Sequence, residues 1–338
     1  MTDIKENIIN TAVNKLKDEL NIQILLEEPH KTGIPVDKEI HFTINGGEQV
    51  LYAEVRKRIE KQTIGLLQLN KKQLKDNYLL ITEYVNLVVA EKLKEKNIQF
   101  IDTAGNAYIN QYPLYIFLKG QKMKKGRGRK KTRRIFYPAG LKVIYLFLCI
   151  PEAVNWRYRE IAEKADVALG TIAWLMKDLK ELGYLADMQK KGKRIVKKEE
   201  LLKEWCTQYI MTLKPKCFLG TFTAAKGNIQ DIKIDKKTAL WGGEPAAAEI
   251  TKYLTPERMT IYTTAREMKK IVIENKLKAD ENGKVEIVER FWDAVIDDKN
   301  KDTVNPVLVY ADLLETGAER NVETAKMIYE QFIHRHIR

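Results

Sequence analysis

Apolar residues recur along this chain at two spacings, and the changes between them mark its elements. From residue 4 to 27, Ile8, Ile9, Val13, Leu16, Leu20 and Ile24 fall mostly three or four apart, which predicts one long amphipathic helix. "EIHFTI" and "QVLYAEVRKRI" then alternate as half-buried strands do, joined at Gly46 and Gly47. A polar helix at 61–75, a strand "YLLITEYV", a helix "NLVVAEKLKEKN", a strand "QFIDTAGN" and the hairpin half "AYINQYPLYIFLKG" follow. This order predicts an α/β layer over residues 1–118. Asp102, Gly105 and Asn106 suit a turn, because Gly and Asn tolerate left-handed backbone.

Residues 139–150, "AGLKVIYLFLCI", are apolar almost all round and predict a buried helix stopped by Pro151. Ile161, Ala162 and Ala165 place a stripe on a short helix, and "ADVALG" reads as a compact turn. Ile172, Leu175, Leu179 and Leu182, spaced three, four and three apart, give a second helix one buried face, and Gly183 stands where a left-handed C-cap belongs. Strand, basic turn at Gly192 and strand follow in "YLADMQKKGKRIV", and a further helix runs through Leu201, Leu202 and Trp205. In the last third, "TALW", "MTIYTT", "KVEIVERF" and "PVLVYADLL" read as strands, and "PAAAEITKYL", "AREMKKIVIENK" and "NVETAKMIYEQFIHRHI" as helices. That predicts another α/β domain over 216–338. Gly242 and Gly243 turn strand into helix, with Pro245 at its start; a phosphate could bind such a helix start, but no Lys-Ser/Thr or full glycine fingerprint accompanies it. Asp312 and Glu315 are expected after a strand, within reach of Arg320.

Charge changes this picture. The net +13 is not spread evenly: residues 1–118 hold 15 basic and 16 acidic side chains, 119–134 hold 10 and none, 135–215 hold 14 and 10, and 216–338 hold 20 of each. The excess therefore sits in "KGQKMKKGRGRKKTRR" and the segment after it, as a local polyanion site requires. Gly120, Gly126 and Gly128 keep that stretch too flexible for a helix of its own. Apolar runs are too short to span a bilayer, and the polar start lacks a signal peptide's apolar core, so the expectation is a cytoplasmic protein without a membrane partner. Cys149, Cys206 and Cys217, without paired spacing or neighbouring His, predict neither a disulfide framework nor a metal site, and no cofactor motif occurs.

Helix, helix, turn, helix and basic hairpin is the order of a winged helix-turn-helix, and "YREIAEKADVALGTIAWLMKDLKELGYL" resembles the bacterial regulator pattern in which the second helix of the pair enters the major groove. Its outward positions offer hydrogen-bond donors only at Thr171, Trp174 and Lys177, so base reading is modest. Double-stranded DNA is then gripped by phosphate contacts from Lys124, Lys125, Arg127, Arg129, Lys130, Lys131, Arg133 and Arg134 of the arm, and from Lys190, Lys191, Lys193 and Arg194 of the wing.

The order of elements over 1–118 resembles the restriction-endonuclease-like core. Such a core implies an acidic residue at one strand and Glu-x-Lys on the next, holding a divalent metal. In "YAEVRK", Tyr52, Glu54 and Arg56 alternate onto one face, but Arg replaces the expected Lys, Lys57 points away, and with Asp37 before the strand and His41 within it no carboxylate aligns with Glu54. The expectation is a catalytically silent scaffold, with Asp37, Glu54 and Arg56 as vestigial candidates; the alternative is a metal-dependent DNA nuclease targeted by the winged helix. Finally, "FIDTAGNAYI" after "YAEVRK", the winged helix behind it, "WGGEPAA" and "VLVYADLLETGAERNVETA" together resemble the AbiEi-like antitoxins of type IV toxin-antitoxin systems. The resemblance implies a non-enzymatic transcriptional regulator that represses its own operon and antagonises a nucleotidyltransferase-like toxin.

Overall fold

The computed structural model describes residues 2–20, 24–29, 36–44, 47–60, 63–112, 114–122, 134–189, 192–224, 229–298 and 301–334. The chain divides into two compact units, residues 1–129 and 130–338.

The first unit is built on a seven-stranded sheet flanked by helices. Its elements are α1 (Thr2–Leu20), β1 (Ile24–Glu27), β2 (Lys38–Ile44), β3 (Gly47–Arg56), α2 (Ile64–Leu74), β4 (Tyr78–Thr82), α3 (Leu87–Glu95), β5 (Gln99–Asp102), β6 (Ala107–Gln111) and β7 (Leu114–Leu118). The strands lie side by side in sequence order. β3, β4 and β5 are mutually parallel while the flanking pairs are antiparallel. Parallel neighbours need a crossover, and α2 and α3 supply the two. Odd-numbered Leu51, Ala53 and Val55 of β3 pack against Ile8, Ile9 and Val13 of α1. The other sheet face, with Tyr78, Leu80 and Phe100, packs on Leu67 of α2 and Val89 and Leu93 of α3. The helix expected over 4–27 ends at Leu20 instead: Ile24–Glu27 pairs with β2 at the sheet edge, and burial there alternates from Ile24 to exposed Leu25. Two apolar residues cannot separate a helix end from a short strand; a neighbouring strand decides it.

The second unit begins with a 3₁₀ turn (Arg134–Phe136), α4 (Pro138–Cys149), a 3₁₀ segment (Pro151–Asn155), α5 (Tyr158–Lys164), α6 (Leu169–Glu181), β8 (Leu185–Asp187), β9 (Lys193–Ile195), and α7 (Lys198–Gln208) running into a π turn (Tyr209–Leu213). It continues through α8 (Lys214–Cys217), β10 (Phe218–Ala224), β11 (Ala239–Gly242), α9 (Gly243–Thr251), β12 (Met259–Thr263), α10 (Ala265–Glu274), β13 (Leu277–Ala279), β14 (Val285–Glu289), α11 (Pro306–Thr316) and α12 (Glu319–Ile328). β8 and β9 pair alone, and β11-β12-β14-β10-β13 form a five-stranded sheet in which β12 and β14 are parallel. The boundary expected at 215/216 lies inside α8. Aromatic rings bind the two sides of it: Trp205 stacks on Tyr145 of α4 at 5.2 Å and on Tyr209 at 5.0 Å, while Phe291 and Trp292, just after β14, lie 5.3 and 5.7 Å from Tyr145. Rings at these separations add attraction beyond the area they bury.

One expected strand is a helix. "PVLVYADLL" forms α11, started by Pro306 and by the Asn305 side chain, which accepts from Val307 N–H at 3.0 Å, and stopped by Gly317 at φ 61°. Every residue from Val307 to Leu314 is buried, and all but Asp312 are apolar or aromatic, so the run carries little period to read. β10 and β13 had no alternating signal strong enough to announce them.

Candidate nucleic-acid interface

The helix pair α5–α6 is fixed from inside. Ile161 and Ala162 of α5, Ala165 just after it, and Ile172, Leu175 and Leu179 of α6 are all buried. Gly183, at φ 72°, closes α6, and Tyr184 N–H reaches back to the Leu179 carbonyl at 2.9 Å. Outward remain Ala168, Leu169, Gly170, Ala173 and Lys177, all exposed, with Thr171 and Trp174 half-buried. Trp174 is not bare: the Arg134 guanidinium lies 4.7 Å from its ring and forks onto Asp178, through Nε at 2.8 Å and Nη2 at 3.1 Å. This pairing holds the Asp178 carboxyl below its usual range. Lys177 pairs loosely with Glu181, 3.7 Å away on the next turn. Arg134, Trp174 and Lys177 thus share one helix face. Lys124, Lys125, Arg127, Arg129, Lys130, Lys131 and Arg133 of the arm, and Lys190 and Lys191 of the turn, lie outside the described residues.

The hairpin β8–β9 pairs at only three positions, Leu185 with Ile195, Ala186 with Arg194 and Asp187 with Lys193. Its second strand is held from the other side by Asn155, whose amide donates to the Lys193 carbonyl at 2.8 Å while its oxygen accepts from Lys193 N–H at 2.7 Å. The Lys193 ammonium lies 5.2 Å from the centre of the Tyr158 ring. Between the hairpin and the Pro151–Asn155 segment runs a groove of about 580 Å³ whose lining includes Lys193, Arg194, Lys198, Glu152 and Asn155. Burial, and then the charge of Arg194, lower the Lys198 amine's pKa. Neither Asn155 nor Lys198 was singled out from sequence. An exposed Asn before a helix reads as an ordinary turn residue, and nothing local ties it to a strand 38 residues later.

Further along the same unit a charged cluster is closed on itself. Lys214 is buried, with its ammonium 3.0 Å from Glu286, 3.3 Å from Asp312 and 2.5 Å from Glu315. Asp312 also accepts from Tyr262 Oη at 2.9 Å and from Gly243 N–H at 3.2 Å. The start of α9 is thereby occupied by an internal carboxylate, which leaves plain turn chemistry for Gly242 and Gly243. Burial raises the Asp312 carboxyl, and its charge helps hold the Lys214 ammonium well above the usual lysine range. Asp312 and Glu315 were expected to follow a strand within reach of Arg320. They instead sit one helical turn apart on α11 and take Lys214, whereas Arg320 pairs with Glu244 at 2.7 Å and Glu257 at 3.2 Å.

Residues 194–334 match the family model described as "Transcriptional regulator, AbiEi antitoxin, Type IV TA system". Over this stretch the chain is similar to AbiEi-type antitoxin regulators. No curated protein and no solved structure matches the chain. The matched region starts at Arg194 within β9 and takes in α7, the Trp205–Tyr209 stack, the Lys214 cluster and α12. It is joined in one compact unit to α4–α6.

The first unit lies outside the AbiEi match. On β3, Glu54 and Arg56 do share the sheet face opposite Leu51, Ala53 and Val55, and they meet directly, Arg56 Nε donating to Glu54 at 2.6 Å. The other Glu54 oxygen accepts from Asn70 at 2.6 Å and Tyr78 Oη at 2.7 Å. Burial, then the Glu54 charge, push the Tyr78 phenol well above its usual range. Asp37 is used elsewhere: its oxygens accept from Val55 N–H at 2.7 Å and from Lys5 at 2.6 Å. Asp102 is likewise spoken for, accepting from Val85, Ala104 and Asn106 N–H groups at 2.8 to 2.9 Å, which fixes the expected turn. Among the described residues no group of three or more His, Cys, Asp or Glu could hold a metal ion, the cysteines are free thiols, and no helix is long and apolar enough to cross a membrane.

Proposed function

We propose that this protein is a DNA-binding transcriptional regulator, the antitoxin of a type IV toxin-antitoxin system, which represses its own operon from the cytoplasm. The antitoxin-family match, continuous with a helix pair and a basic hairpin in one compact unit, carries the reading. The order α4, α5, α6, β8–β9 supports a winged helix-turn-helix, in which α6 would enter the major groove and Lys193 and Arg194 would stand on the wing. Few base-reading donors face outward on α6, so phosphate contacts and groove shape supply most of the grip. Opposition to a nucleotidyltransferase-like toxin then follows from the operon without a required complex.

We take the first unit as a restriction-endonuclease-like scaffold without catalysis. The partners of Glu54 and Asp37 favour this, since each carboxylate is already engaged by protein donors.

The test is titration of a fluorescein-labelled duplex from the operon's own promoter into the full chain at several salt concentrations. With roughly five cations on phosphates, log K falls with log salt at a slope of about −4 to −5. A slope near zero rejects the reading. Incubation of plasmid with Mg²⁺ or Mn²⁺ checks the scaffold claim: nicking that disappears in Glu54→Ala would restore the nuclease.

A further inference from the structure

Asn155 does for the wing what a third strand would do. A side-chain amide that both donates to and accepts from one residue's backbone copies the two-bond pattern of an antiparallel neighbour. A hairpin of three residue pairs is marginal by itself, so its orientation depends on such a clamp. Asn suits this place: Asp cannot donate to the Lys193 carbonyl, and the longer Gln would displace the strand. Gly192 completes the fit. It sits at φ 76°, and a Cβ there would stand 2.7 Å from the Asn155 oxygen, so only glycine lets the amide approach. What the clamp positions is charge. Lys193, Arg194 and Lys198 line the same groove, where Glu152 is the one carboxylate among the described lining residues. Gathering three cations beside one groove costs mutual repulsion, and an anion entering the groove relieves it; the Lys198 amine is lowered first by burial and then by the charge of Arg194.

We propose that Asn155 is a positioning residue that clamps the wing so that Lys193, Arg194 and Lys198 together form a cleft for the backbone phosphates of duplex DNA. The proposal rests on the DNA-binding reading above and names where the wing's share of that binding is assembled.

Asn155→Ala separates clamping from charge, because it removes no cation. The full chain is titrated with a labelled duplex of arbitrary sequence across a salt series, alongside Lys193→Ala and Lys198→Gln. Asn155→Ala is expected to weaken binding roughly tenfold or more near 0.1 M salt and to shrink the slope by about 2, as though two contacts were lost, with the thermal midpoint unchanged. Gly192→Ala, which opens the clamp from its other side, should act in the same direction. Unchanged affinity and slope in Asn155→Ala, while Lys193→Ala reduces both, overturns the clamp and leaves DNA binding standing. Absence of salt-dependent binding by the unaltered chain overturns the underlying reading instead. If Asn155→Ala proves less stable, Lys198→Gln decides: a slope reduced by about 1 supports the shared cleft, and no change rejects it.

Discussion

Glu54 and Lys193 both carry charge on a strand, yet their surroundings are opposite. Around Glu54 the protein has supplied partners from within: Arg56, Asn70 and Tyr78 donate to its oxygens, and the residue is buried. The Lys214 cluster repeats this on a larger scale, with three carboxylates around one ammonium. Around Lys193 the protein has instead gathered like charges beside a groove and fixed their backbone with a neutral amide. A buried charge left unpaired costs several kcal/mol, so closed clusters have to be completed internally and serve the fold. Charges that keep contact with water, such as the half-buried Lys193 and exposed Arg194, carry no such requirement.

The comparison can be broken from its closed side first. Lys214→Ala leaves Asp312 and Glu315 without their cation inside the second unit, and the expected loss is about 3–5 kcal/mol in urea unfolding. A loss under 1 kcal/mol would mean that the cluster is not a fold-holding charge site. Next, Glu54→Ala strands the donors of Asn70, Tyr78 and Arg56, for an expected loss of about 1–3 kcal/mol with DNA affinity unchanged. An effect on affinity larger than on stability would reopen a functional role for that carboxylate.

On the open side, Lys193→Ala combined with Arg194→Ala should leave the thermal midpoint in place and reduce the salt slope by about 2. A large fall in the midpoint would class the wing cations with the closed sites. The smallest expected effect is on acid stability. Asp178 has its folded pKa depressed by Arg134, so its contribution is present above the unfolded carboxyl value near 4 and is lost as pH falls through the folded value. Asp178→Asn should therefore flatten the melting temperature against pH in that acid range only; an identical profile for both chains would remove Arg134 as the cause.

Much of the fold was legible because amphipathic periods survive folding. The stripe Ile172, Leu175, Leu179 is the buried face of α6, and Gly183 is its left-handed cap. The alternation of Tyr52, Glu54 and Arg56 against Leu51, Ala53 and Val55 sets the two faces of β3 as the sequence implied. Legibility failed where the pattern had no period. Ile24 continued a helical stripe but belongs to an edge strand, and Val307–Leu314 is apolar or aromatic but for Asp312 and so looked like a strand. For the candidate site, Lys193 and Arg194 could be named from charge alone, whereas Asn155 and Lys198 could not, because their role depends on which backbone and which groove they face.

By itself, the order of residues determined where charge accumulates, which segments are amphipathic helices and a resemblance to AbiEi antitoxins, which the family match supports over residues 194–334. Tertiary structure alone decided the pairings: that Asp312 and Glu315 meet Lys214 rather than Arg320, that Arg134 covers Trp174, and that an asparagine clamps the wing. The physical reason is range. Periodicity and net charge are properties of neighbours in sequence, while hydrogen bonds and ion pairs act over a few ångströms between residues that only the folded chain brings together.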